Sequence, residues 1–158
     1  MSTRFGREIA VRSSIALDHP ADAVVGLVLD WGHDDLWRGH VRAVTCTPRG
    51  RAHAGQGLVE ELGFAGLTFV TPTRVGAAGD RSATYAGGGP LVRVRGGRVV
   101  RPTEDGCVVD VTTVLRLGGW LRLLGPVLVP AYRRAQHGDL ERLRWLVGTL
   151  HGPQAVTA

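Results

Sequence analysis

The chain contains no lysine: all 19 of its basic residues are arginine, in a sequence also rich in Ala, Gly and Val. That bias is expected of a GC-rich bacterial genome, so the formal net charge of +5 reflects codon usage before it reflects an anionic partner. Only two cysteines occur, Cys46 and Cys107, too few for a disulfide framework and without metal-ligand spacing, which points to a cytoplasmic setting. Phe, Trp and Tyr together make up 6% of residues, so the stacking side chains of single-strand binders are thin; with no nucleic-acid motif either, nucleic acid is not an expected partner. No apolar run approaches bilayer length, and the most apolar stretch, 120–131, is broken by Arg122, Pro126 and Pro130. The first eight residues carry charges but no apolar stretch of the kind a signal peptide needs.

Several chemistries are missing as well. No Gly-x-Ser-x-Gly elbow occurs, and neither cysteine has an assigned histidine neighbour. Gly87-Gly88-Gly89 lacks the lysine and the strand-to-helix setting of a phosphate loop. His33-Asp34-Asp35 is contiguous, so its side chains diverge, and His40 has no partner at a ligand spacing; neither a metal nor a cofactor is expected.

What is present is an ordinary globular composition, 44% hydrophobic and 21% charged over 158 residues, enough for one domain (1–158, core about 8–150) with its own core. Ile9, Val11, Ser13, Ile15 and Leu17 alternate with Ala10, Arg12, Ser14 and Ala16, the period of two of a strand over 8–18. His19-Pro20-Ala21-Asp22 then opens a short helix through Leu29, with Asp18 or His19 as its cap, and 30–37 reads as a turn and a second short helix. Six strands follow, at 41–47, 57–64, 67–75, 81–86, 92–101 and 107–117, divided by Gly, Pro and Asp turns. In 120–150, Leu140, Leu143, Leu146, Val147 and Leu150 recur at three and four, marking an amphipathic helix; Pro126 and Pro130 should confine or kink its start.

With this order on the page, the chain resembles the SRPBCC superfamily of polyketide cyclases and dehydratases, START-type lipid carriers and the birch-pollen-allergen fold. The resemblance covers about 8–148. It rests on Ile15-Ala16-Leu17-Asp18-His19-Pro20-Ala21-Asp22-Ala23-Val24, on Trp37 before Val41-Arg42-Ala43-Val44, on Gly55-Gln56-Gly57, and on Gly125-Pro126 with Asp139-Leu140-Glu141-Arg142-Leu143. It implies an α+β helix-grip fold: a seven-stranded curved antiparallel sheet wrapped round the C-terminal helix, with a hydrophobic tunnel opening near the short helices. The motifs specify a fold better than a chemistry, because such families share a cavity rather than a catalytic set.

Candidate residues follow from parity. Leu58, Leu62 and Phe64 share a parity with Glu60; facing a cavity, Glu60 would be desolvated, its pKa raised, and a general acid or base available, whereas a slipped register would leave it solvated. Tyr85 and Tyr132 could donate to a ligand carbonyl or enolate, or be core with satisfied hydroxyls. Arg95 could anchor a carboxylate or polarise a ketone, although with Arg93, Arg98 and Arg101 it reads as the solvent face of its strand. The expected lining is Trp31, Trp37, Leu58, Leu62, Phe64, Phe69, Thr71, Val94, Val109, Val111, Leu128 and Tyr132, with the two tryptophans near the mouth. The expected partner is a polyketide or other hydrophobic aromatic or lipid metabolite, held by a monomer or homodimer. Ring closure or dehydration without cofactor is one expectation, with Glu60, Tyr85 and Arg95 as catalytic residues. A non-catalytic carrier or sensor is the other.

Overall fold

A computed structural model describes residues 4–152 of the chain. Strand β1 spans Ile9–Leu17, helix α1 Ala21–Val28, a 3-10 turn Trp31–His33 and helix α2 Asp34–Trp37. A meander follows: β2 (Val41–Thr47), β3 (Gly57–Phe64), β4 (Leu67–Ala78), β5 (Ser82–Gly88), β6 (Val92–Thr103) and β7 (Gly106–Leu117). A second 3-10 turn, Gly119–Leu124, leads into helix α3, Gly125–His151. All seven strands are antiparallel in one sheet ordered β1-β7-β6-β5-β4-β3-β2, so β1 closes the meander beside β7. This is the helix-grip fold.

The local chemistry explains the boundaries. Pro20, in an extended conformation, occupies the capping position of α1, one residue beyond His19 and two beyond Asp18, the two caps expected, and Asp22 sits in the first turn where the helix dipole favours a carboxylate. The β3–β4 hairpin turns on Ala65 and Gly66, both at positive φ (50° and 76°), a geometry whose twist matches the flanking strands. The long helix starts at Gly125 and runs through Pro130 rather than beginning after it. Pro130 lies in the second turn and is exposed, so the one carbonyl its ring leaves unpaired, that of Pro126, can turn to water.

The concave face is filled at one end. There α1, the Trp31 turn, α2 and the C-terminal half of α3 (Leu140, Leu143, Val147) pack on Ile15, Leu17, Leu58, Val75, Val100 and Val109. Both tryptophans expected at the tunnel mouth, Trp31 and Trp37, are buried in this cluster. A smaller cluster of Leu117, Leu121 and Leu128 backs Phe64, Phe69 and Val92 at the other end.

The filled end contains charge. Arg98 falls on the inward parity of β6 with Val92, Val94, Gly96 and Val100, so it does not belong to the solvent face with Arg93, Arg95 and Arg101. Its guanidinium makes two bonds to Asp34, at 2.7 and 2.6 Å, and a third to the Val28 carbonyl at 2.9 Å. It also lies over the rings of Trp31 (4.4 Å) and Trp37 (5.0 Å), which accept a cation on their faces. Removing one member of such a pair strands the other in the core: Asp34→Ala should cost about 3 to 5 kcal/mol in urea unfolding, and adding Arg98→Met should recover most of that loss. A single-variant loss no larger than that of an exposed ion pair would show that the link does not hold the short helices to the sheet.

Candidate functional site

Between the two clusters the bent sheet and α3 do not meet. Helix α3 packs chiefly on β1, α2 and the turn before it, and leaves space over β3–β6. The unfilled space is about 970 Å³, its opening included. The inward parities of five strands supply its wall. Glu60, Leu62 and Phe64 come from β3; Phe69, Thr71 and Thr73 from β4; Tyr85 from β5; Val92 and Val94 from β6; and Leu115 and Leu117 from β7. Leu128, Val129, Tyr132, Ala135, Gln136 and Asp139 of α3 form the roof, and Arg38, His40 and Val41 close one side. Exposed His40 and half-exposed Phe64, Phe69 and Val129 mark the rim, between the β3–β4 hairpin and the first turns of α3. Phe64 and Tyr132 meet edge-on across it, ring centres 6.0 Å apart.

Most of the wall is apolar; the polar groups gather on one side. Arg38 Nη1 donates to Asp34 Oδ2 and to Glu60 Oε1, each at 2.7 Å, and its Nε stands 3.9 Å from Asp139 Oδ2. Asp139 Oδ1 accepts the Gly39 amide at 2.9 Å. Two guanidiniums, Arg38 and Arg98, therefore face three carboxylates, Asp34, Glu60 and Asp139. Burial works to raise Asp34, but Arg98 and Arg38 together overcome it and hold the group below the usual carboxylate range. Glu60 goes the other way: burial raises its pKa, and the single contact with Arg38 offsets this only in part. Burial raises Asp139 too. Glu60 and Asp139, the two carboxyls of the cluster that line the cavity, are thus the ones whose protonated forms burial favours.

The phenols stand apart from this cluster. Tyr85 and Tyr132 each place Oη 3.5 Å from Thr113 Oγ1, too long for a good O–H···O bond, while Thr113 donates to Gln136 Oε1 at 3.0 Å. Both hydroxyls can therefore turn to a ligand. Burial pushes Tyr85 up to about 12 and raises Tyr132, so each stays a protonated donor at neutral pH. Tyr85 owes its place to two neighbours. Its ring stacks edge-on to Trp31 at 5.7 Å, and a Cβ at Gly96 would come within 2.8 Å of its hydroxyl oxygen, so only glycine leaves that space.

Of the candidates read from sequence, the cavity wall brings together Glu60, Tyr85, Leu62, Phe64, Phe69, Thr71, Val94, Leu128 and Tyr132. Trp37 and Val111 border only a smaller space behind it, with Arg98, Thr113 and Leu140. Trp31, Leu58 and Val109 are core and do not touch the cavity, because α1 and α2 fill the concave face at their level. Arg95 projects into solvent and pairs with Glu8 at 3.1 Å, since its odd position puts it on the convex side of β6. Both cysteines are buried, free and absent from the wall. Arg38, His40, Gln136 and Asp139 were missed. A signal existed for two of them: from Tyr132, helical spacings of four and seven lead to Gln136 and Asp139 on the same face. For Arg38, next to a buried tryptophan in a four-residue helix, no periodic signal exists. Among the described residues no group of three His, Cys, Asp or Glu could hold a metal ion.

Fold and site together define a helix-grip protein whose apolar cavity ends in a carboxyl–guanidinium cluster and two phenols. The chain belongs to the polyketide cyclase / dehydrase and lipid transport family, whose sequence model matches residues 8–148. Among solved structures it is similar to a protein from Thermus thermophilus, with TM-score 0.77 and 16% identity over 90% of this chain and 99% of that one. It is also similar to the Zhui aromatase/cyclase from Streptomyces sp. R1128, with TM-score 0.73 and 14% identity over 92% and 98%. A third is norcoclaurine synthase from Thalictrum flavum in complex with dopamine and hydroxybenzaldehyde, at TM-score 0.61 and 17% identity over 97% and 91%. Identities this low establish the shared fold alone. No curated protein matches the sequence.

The opposed shifts of Asp34 and Glu60 can be separated by pH. Asp34 contributes stability present above its unfolded value and lost as pH falls through its lowered folded one; Glu60 contributes stability complete below its unfolded value and lost as pH rises through its raised folded one. Glu60→Gln removes only the second. The advantage of the wild type over Glu60→Gln in urea unfolding should therefore shrink from about pH 4 to about pH 8. An advantage that grows over that range would mean that the Glu60 carboxylate is held charged by Arg38.

Proposed function

We propose that this protein binds a hydrophobic small molecule, a polyketide or related aromatic or lipid metabolite, in the cavity and promotes its ring closure or dehydration without a cofactor. The observation that carries the reading is the placement of Arg38, Glu60, Asp139, Tyr85 and Tyr132 around one apolar space. Membership of a family described as polyketide cyclase / dehydrase and lipid transport supports the same class of ligand. We further propose a cytoplasmic protein acting as a monomer or homodimer on a single domain.

An apolar wall would hold a flexible poly-ketone folded, which can supply several kcal/mol of the barrier by removing entropy before reaction. Glu60, as carboxylate, takes a proton from a carbon flanked by two carbonyls. Arg38 and the Tyr132 hydroxyl donate to the resulting enolate oxygen. The enolate carbon then bonds to a second carbonyl carbon, whose π pair moves to oxygen and takes a proton from Tyr85; the proton that Glu60 removed then passes back to the Tyr85 oxygen, which leaves Glu60 a carboxylate again. In the dehydration that follows, the Glu60 carboxylate takes a second proton from the same carbon, whose electron pair forms the double bond as the hydroxyl leaves as water with the proton of Asp139, and the proton on Glu60 then restores Asp139. Arg95 has no part in this scheme, since it stands on the convex face.

A carrier needs the cavity but not the cluster, and turnover separates the two readings. With a linear poly-β-ketone thioester of N-acetylcysteamine as probe, the wild type should give cyclised or dehydrated product well above the spontaneous rate. Glu60→Gln should lower that rate by about a hundredfold or more, while the probe's affinity stays nearly unchanged. Binding without any acceleration by the wild type would establish the carrier and end the catalytic reading.

A further inference from the structure

The turn before α3, together with the start of that helix, has a second face. Leu121 and Leu128 point inward and are buried, whereas Trp120, Leu123, Leu124 and Val127 around them are exposed, Leu123 by 80% and Val127 by 68%. These four large apolar side chains fall within eight consecutive residues spanning the 3-10 turn and the start of α3. Val129, two residues beyond Val127, is on the cavity rim.

The charges around this patch have one sign. Between residues 111 and 138 the sequence has no Asp or Glu but four arginines, Arg116, Arg122, Arg133 and Arg134, all exposed. Among the described residues none of the four has a carboxylate within 4.0 Å. Arg134 continues the stripe of Val127 and Pro130 along α3 at helical spacing, and Arg122 lies between Trp120 and Leu123. Arg93 stacks over Phe5, whose backbone bridges to Gly118 at the foot of the same turn.

We propose that this face docks on an anionic lipid surface, with Trp120, Leu123, Leu124 and Val127 at the headgroup level and Arg122 and Arg134 against the phosphates. Tryptophan, aliphatic and arginine side chains on one short element are the composition that settles at a bilayer interface, where apolar burial and attraction to anionic lipid add. A second copy of this chain fits worse, because a two-fold contact would bring arginines against arginines with no carboxylate to answer them. The apolar side chains also project rather than line a groove, which suits a deformable surface. Docking is peripheral, since no described helix is long and apolar enough to cross a membrane. It would set the cavity rim against the lipid, so that an apolar ligand enters without crossing water, whether or not the cavity then catalyses.

The test is co-sedimentation of the full chain with vesicles of phosphatidylcholine and phosphatidylglycerol, and with vesicles of phosphatidylcholine alone. Binding should be at least tenfold stronger to the anionic vesicles and should weaken with added salt. Leu123→Glu with Val127→Glu should lower it at least tenfold, and so should the separate variant Arg122→Gln with Arg134→Gln. All four side chains stand in solvent, and unchanged thermal unfolding would confirm that both variants fold. Equal partition to neutral vesicles, no partition to either, or unaltered partition of both variants would each overturn the proposal. A solution dimer that Leu123→Glu with Val127→Glu dissolves would also overturn it, by assigning the face to a contact between copies.

Discussion

The structure depends on one chain of charge–charge contacts that starts in the core and ends in the cavity. Arg98, on the inward face of β6 and covered by two tryptophans, holds Asp34; Asp34 holds Arg38; and Arg38 reaches Glu60 on β3. Helix α2 has four residues, too few to be stable by itself, and its place is fixed by this link and by burial of Trp37. A guanidinium buried without a partner would cost more than the fold can spare, so Asp34 has to stay ionised and in place. Its lowered pKa is the measure of that demand.

The same link places the candidate chemistry. Asp34 takes both bonds of the Arg98 fork and one from Arg38, which leaves Arg38 a single close contact with Glu60 and only a distant one with Asp139. The innermost carboxyl is thus fully compensated and the two on the cavity wall are not. Environment separates chemically similar groups into a structural anion and candidate proton carriers. Tyr85 from the sheet and Tyr132 from α3 complete the site, each with a hydroxyl short of a good partner.

The cavity itself is a consequence of shape. A sheet bent enough to curl round one helix cannot touch it everywhere; here α1 and α2 fill one end, and α3, leaning on β1, leaves the β3–β6 side open. The mouth therefore lies between the β3–β4 hairpin and the start of α3. The short helices do not line it; the connection from α2 to β2 borders it through Arg38 and His40, and Trp31 and Trp37 serve the core.

Period-two alternation in β1 and β3, the Gly and Pro punctuation of the meander and the three-and-four spacing of Leu140, Leu143 and Val147 determined the element order from the sequence alone, because those patterns express which side of each element is dry. They also carried Glu60, Leu62 and Phe64 to the cavity wall together, since parity within one strand is a local property. Helical spacing from Tyr132 would have added Gln136 and Asp139. Only the tertiary structure decided which end of each inward row meets packed helices and which meets open space: Leu58 and Glu60 share a parity, yet one is core and the other borders the cavity. It alone brought Arg98 from β6 and Arg38 from the end of α2, 60 positions apart in the numbering, onto one carboxylate, because an ion pair between distant elements leaves no period in the chain.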